Sequence, residues 1–279
     1  MAIEEGYWMR RKQRSGNVVE VSQFWYGPRR PRANRKKGSS AAEKKDRNMQ
    51  QAARCMARVL NCNFSGSDYF ITLTFDDKHL PENPAQAAKA VELFIKRLKR
   101  WLQKAGAAFR AVWILADKSK TGEPLRTHLH IVLGGEGIES KDCEGYLDLY
   151  IAGQNLKDIW KQGLIYSERL RPAGDYSRLA AYMTVQAVAG TDVKKYHTSR
   201  GLKKPEIISE EPLDKPQELK APPGAVVQEV TEYDVETGTQ YLRYIAPPKK
   251  ARRFIGFDWS KGPAARRLLE RPPDREEEI

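Results

Sequence analysis

From Ser40 to Leu60 the apolar residues Met49, Ala52, Ala53, Met56, Val59 and Leu60 recur every three or four positions. That spacing predicts an amphipathic helix, with Ser39 or Ser40 as its cap. Asn61–Ser67 breaks the pattern, and Asp68–Phe75 (DYFITLTF) is β-branched and aromatic, the composition of a strand. After a loop over Asp76–Pro84, residues 85–105 return to helical spacing, with Val91, Phe94, Ile95, Leu98, Trp101 and Leu102 on one stripe and Gly106 as the stop. Phe109–Leu115 and Thr127–Leu133 read as strands, and the long turn-rich loop between them predicts an antiparallel pair. A helix over 154–161, a strand over Leu164–Leu170 and a helix over Ser177–Val188 follow. The order β-α-β-β-α-β plus a helix is the connectivity of a split βαβ, ferredoxin-like core of α+β class with a four-stranded antiparallel sheet. Beyond Glu206 the chain turns Pro-rich (SEEPLDKPQELKAPPGA), YDVETGTQYLRY predicts a hairpin across Glu236–Gly238, and the end is acidic. The expected organisation is a basic flexible arm over 1–39, a folded domain over 40–207, and a linker, possible hairpin and tail over 208–279.

Charge sharpens this picture. The chain carries 49 Lys+Arg against 36 Asp+Glu, a net charge of +13. Residues 1–60 hold fifteen of the basic and five of the acidic residues. The densest stretch, RRPRANRKK, contains Arg29, Arg30, Arg32, Arg35, Lys36 and Lys37 beside Trp25 and Tyr26, and predicts a phosphate-binding arm. No apolar run reaches the roughly 18–20 residues that span a bilayer, and the N-terminal residues lack the apolar core of a signal peptide. Cys55, Cys62 and Cys143 form no CxxC pair, and an odd number makes no disulfide framework. A soluble cytoplasmic protein with a polyanionic partner is the expectation, rather than a membrane protein, a secreted scaffold or a zinc finger.

Four histidines occur in the chain, and two of them are His128 and His130. Residues two apart on a strand share a face, so both imidazoles project together while Leu129 and Ile131 point to the core. Paired imidazoles are natural ligands for a divalent metal. Asp117, at the end of the neighbouring strand, is the candidate third ligand. Its rival role is to start the loop DKSKTGE, within which Glu123 is a weaker ligand candidate. Tyr182 is the candidate nucleophile, with Gln186 on the same helical face. Leu179 and Met183 around it leave a core aromatic as the alternative. Tyr196, beside Lys195 and His197, is the rival tyrosine.

NCNFSGSDYFITLTFDDKHLP, THLHIVL, IWKQGLIYSERL leading into LAAYMTVQ, and KKYHTSRGLKKPEI come in the order found in the HUH endonucleases. The chain resembles in particular the replication-associated proteins of phages, plasmids and bacterial mobile elements that start rolling-circle replication. The resemblance implies a ferredoxin/RRM-like HUH core with a tyrosine helix after it, His128 and His130 as ligands of Mg2+ or Mn2+, and Tyr182 as the nucleophile. It favours an acidic third ligand near Asp117, where relatives commonly carry glutamate. The family's helix often reads Tyr-x-x-Lys, whereas Val185 and Gln186 follow here, which leaves Lys194 or Lys195 as substitutes and Gln186 and Lys195 as supporting residues. Arg200, Lys203 and Lys204 would contact phosphates flanking the nick. The implied reaction is nicking and rejoining of single-stranded DNA at an origin through a 5′-phosphotyrosine. With no GxxxxGK[ST] loop in the sequence, a host helicase and polymerase are the expected partners. A non-catalytic RRM-like module for single-stranded DNA or RNA, or an HUH transposase or relaxase, are the competing readings.

Overall fold

The computed structural model describes residues 6–28, 40–119, 121–143, 145–172, 174–188, 195–231 and 239–247. In chain order the elements are β1 (Tyr7–Ser15), β2 (Val18–Tyr26), α1 (Ala41–Asn63), β3 (Tyr69–Thr74), α2 (Pro84–Lys104), β4 (Ala111–Lys118), β5 (Pro124–Leu133), β6 (Ile138–Cys143) and β7 (Tyr146–Ile151). There follow β8 (Gln154–Asn155), α3 (Leu156–Trp160), β9 (Ile165–Arg169), α4 (Ser177–Gln186), β10 (His197–Thr198), β11 (Glu206–Leu213), β12 (Val226–Val230) and β13 (Gln240–Ile245). The class is α+β, with antiparallel sheets.

The central sheet runs β10-β4-β5-β3-β9, antiparallel throughout. Its two faces are both covered, which is why its strands read as nearly continuous apolar runs. Tyr69, Ile71 and Leu73 of β3 and Leu129, Ile131 and Leu133 of β5 pack against Phe94, Leu98 and Leu102 of α2 and Trp160 of α3. The opposite face carries Phe70, Val112, Ile114 and Val132, packed on Met56 and Leu60 of α1 and Ala180 and Met183 of α4. Helix α1 starts at a reciprocal cap: Glu43 N donates to Ser40 Oγ, and Ser40 N to Glu43 Oε2. Where β9 begins, Gly163 lies so close to β3 that a Cβ would sit 2.2 Å from the Thr74 carbonyl oxygen, and only glycine fits.

The ends of the chain differ from the sequence-based segmentation. Tyr7–Ser15 and Val18–Tyr26 are not a flexible arm, and Glu206–Leu213 is not an unpacked linker. They form a second sheet, β11-β1-β2-β13-β12. Strands β12 and β13 pair antiparallel as the expected hairpin requires, but its turn at Glu236–Gly238 lies outside the described residues. One face of this sheet buries Val19, Val21, Leu242 and Tyr244 under Leu219. The other meets α1 through charge: Glu20, 4% exposed, accepts from Arg58 at 2.7 and 3.2 Å, from Gln13 at 2.8 Å and from the Tyr241 hydroxyl. Burial, ahead of that carboxylate's charge, pushes the Tyr241 phenol well above its ordinary range. A third sheet, β6-β7-β8, inserts between β5 and α3. Among the described residues no helix is long and apolar enough to cross a membrane.

Candidate active site

Strand β5 presents its even-numbered side chains to the face covered by α1 and α4. His128 and His130 therefore stand on that face, and their Nε2 atoms approach to 3.1 Å. Each ring is fixed through its other nitrogen. His128 Nδ1 lies 2.8 Å from the carbonyl oxygen of Arg126. A carbonyl only accepts, so Nδ1 donates, and the neutral ring presents its Nε2 lone pair to the site. His130 Nδ1 is 3.0 Å from Thr72 Oγ1 on the adjoining β3, and its ring stacks on Phe70 at 5.2 Å. Only 2% of His130 is exposed. Burial first, and then the neighbouring His128, lower its pKa from 6.5 to about 4, against a side-chain hydrogen bond with Gln186 that favours the charged form.

Helix α4 brings two more groups. Its Ala180 and Met183 face the core, which turns Tyr182 the other way. The Tyr182 ring lies 5.5 Å from that of His130 and 6.2 Å from Phe70, and it is 38% exposed. It is thus an open side chain over the histidine pair and not a core aromatic. Gln186, 2% exposed, donates from Nε2 to the Tyr182 carbonyl at 3.2 Å. Its amide oxygen is left for the imidazole. The result is two neutral-capable imidazoles, an amide oxygen and a phenol converging at one end of a rigid sheet.

Residues 68–187 match the family model of the replication-associated proteins of the ORF2 and gene II protein type. The match begins just ahead of β3 and ends just after α4, so it takes in every element that builds this site. It agrees with the resemblance to rolling-circle initiators read from the sequence. Searches of the curated proteins and of the solved structures found no match.

Within the segment matched by this replication-associated family, Asp117 stays apart from the pair. It occupies the irregularity where the β4–β5 register shifts between Ala116 and Lys118, and its Oδ1 faces Lys118 Nζ at 3.1 Å. Among the described residues no group of three or more His, Cys, Asp and Glu side chains gathers as a metal site. Sequence reasoning gave Gln186 only a supporting role; its spacing of four from Tyr182 was the available signal. It missed Thr72, which the alternation of β3 opposite β5 could have flagged. Asp68 is a structural carboxylate, 1% exposed, that accepts from Ser65 N, Gly135 N and Arg110 at 2.7–2.8 Å.

Outside that segment, Tyr196 packs with Val59, Leu179 and Leu202 against the core, and burial raises its phenol pKa rather than lysine lowering it. Lys195 is half-buried beside it. Arg200, Lys203 and Lys204 are exposed on a segment tied to the end of α1, where Lys203 N donates to Asn63 Oδ1 at 2.7 Å. Arg29, Arg30, Arg32, Arg35, Lys36, Lys37 and Lys194 lie outside the described residues.

Proposed function

We propose that this protein is a rolling-circle replication initiator that nicks and rejoins single-stranded DNA through Tyr182. The observation that carries the reading is the 5.5 Å between the ring centres of Tyr182 and His130, over a strand that presents two imidazoles side by side. The element order β3-α2-β4-β5-α3-β9 and the strand order β9-β3-β5-β4 support a ferredoxin-like HUH core beneath it.

The residues fit a divalent metal. Two Nε2 atoms only 3.1 Å apart cannot both point lone pairs at each other without a proton or a cation between them. A pKa near 4 keeps His130 unprotonated at neutral pH, and ring nitrogens anchored on a carbonyl and a hydroxyl are the usual supports of metal-binding histidines. His128 and His130 would hold Mg2+ or Mn2+, and the Gln186 oxygen is better aimed than the Asp117 carboxylate to be the third donor. The ion supplies Lewis-acid withdrawal of charge from a non-bridging phosphate oxygen, leaving open positions for the substrate.

In the reaction, the Tyr182 oxygen forms a bond to phosphorus as the bond from phosphorus to the 3′ oxygen breaks. The phenol gives up its proton to solvent, and the departing 3′ oxygen takes one up. The products are a 5′-phosphotyrosine and a free 3′-OH that a polymerase can extend. The 3′-OH can reverse the step, since phosphodiester is exchanged for phosphodiester and no ATP is required. Helix α4 contributes aim: a phenol held mid-helix needs little reorganisation to meet the phosphate. The matched family favours replication over transposition or mobilisation, with origin DNA as the partner and unwinding left to a host helicase.

The test mixes labelled single-stranded origin DNA with the protein and Mn2+. A covalent adduct on a denaturing gel supports the initiator. Retardation on a native gel alone would point instead to a non-catalytic RRM-like module.

A further inference from the structure

Thr72 of β3 pairs with His130 on one side and with Tyr166 of β9 on the other. Directly paired residues share a face, so His130, Thr72 and Tyr166 form one row across the sheet. Two strand spacings, about 9–10 Å, separate the backbones of its ends. The row changes character abruptly along that distance. His130 is 2% exposed under α4, whereas Tyr166 is 48% exposed. Its hydroxyl reaches only the Gly145 carbonyl, at 3.5 Å. Leu164, two residues earlier, is 78% exposed, and its carbonyl accepts from Thr74 N at 2.9 Å, beside the row that holds His128. An exposed tyrosine alone needs no explanation. Here, however, an open aromatic ring and an exposed leucine continue the site beyond Tyr182, in a chain with a net charge of +13.

We propose that Tyr166 is a stacking platform for a nucleobase next to the scissile phosphate of single-stranded DNA. The inference rests on the nicking reading for the position of that phosphate. A phosphate held between the histidine pair and Tyr182 leaves the adjoining nucleotide over β3 and β9. Thr72 and Thr74 keep the floor low there, and the Tyr166 ring is the π-face within reach. Stacking tolerates any base, so Tyr166 would hold the strand in register without choosing its sequence. It acts as a positioning residue: it orients the strand and takes no part in bond exchange.

Binding is measured by fluorescence anisotropy in EDTA, with a short oligothymidylate and with an abasic oligomer of the same length and charge. Tyr166→Ala should weaken oligothymidylate binding by about 5- to 150-fold, the range for loss of one base–aromatic stack. Tyr166→Phe should bind like the wild type. All three proteins should bind the abasic oligomer equally, with equal salt dependence. The proposal is overturned if Tyr166→Ala weakens both oligomers alike or neither, or if Tyr166→Phe loses as much as Tyr166→Ala. No metal is present, so these outcomes do not depend on cleavage. Failure of the wild type to form an adduct in Mn2+ would sink the nicking reading separately.

Discussion

In EDTA, the protein should lose about 2 kcal/mol of stability through His130 alone when the pH is lowered from 7.5 to 5. The imidazole titrates at its ordinary 6.5 in the unfolded chain and at about 4 when folded. Between those values the unfolded state binds a proton that the folded state refuses, so stability rises with pH across the window and falls on acidification. The whole gap is worth roughly 3.4 kcal/mol, reached below pH 4, and the part developed at pH 5 is about 2 kcal/mol. The assay is urea denaturation at both pH values for the wild type and for His130→Gln. Glutamine keeps a polar group beside Thr72 and does not titrate, so the variant subtracts everything else that ionises. The wild type should show the larger acid loss by about 2 kcal/mol. Equal losses in the two proteins would refute the reasoning that His130 is held neutral by burial. At pH 7.5, Mn2+ at about a hundred times its dissociation constant should stabilise the wild type by roughly 2.7 kcal/mol, and His130→Gln much less.

Tyr182→Phe removes one oxygen from a side chain that is 38% exposed, so folding and DNA binding should persist while the covalent adduct disappears. Mass spectrometry that found the nucleotide on Tyr196 would move the nucleophile. Glu20→Ala should cost about 3–5 kcal/mol in urea denaturation, because it strands the Arg58 guanidinium at the α1 interface. A loss under about 1 kcal/mol would mean that the hairpin of β1 and β2 does not depend on this pair. Replacing Arg29, Arg30, Arg32, Arg35, Lys36 and Lys37 by Gln should flatten the salt dependence of single-stranded DNA binding by about 0.7 in slope for each phosphate the stretch neutralises. An unchanged slope would make the stretch a solvated tail.

What could be read without the structure was local. The helices α1, α2 and α4 and the strands β3, β4, β5 and β9 announce themselves because apolar periodicity is set by each element's own geometry. The same two-residue period put His128 and His130 on one face. The β1–β2 hairpin was legible in part: Gly16–Asn17, with Gly16 at φ 60°, is a two-residue turn between two runs. Basic residues on both faces of β1 hid the alternation, and the acidic β11 that pairs with it lies some two hundred residues away.

The site itself was decided by packing. Helical spacing alone made Tyr182 a core residue, and only the docking of α4 on β4 and α1 fixed which of its faces met the histidines. The same docking buried His130, drew its pKa down and turned Gln186 toward it. Asp117 lost its place because the β4–β5 register breaks where it sits, and no local pattern foretells a register break. Sequence determines which residues one backbone element presents together, since that follows from its repeat. Which elements meet, and which side chains are then stripped of water, depends on contacts between distant segments, and these exist only once the chain has folded.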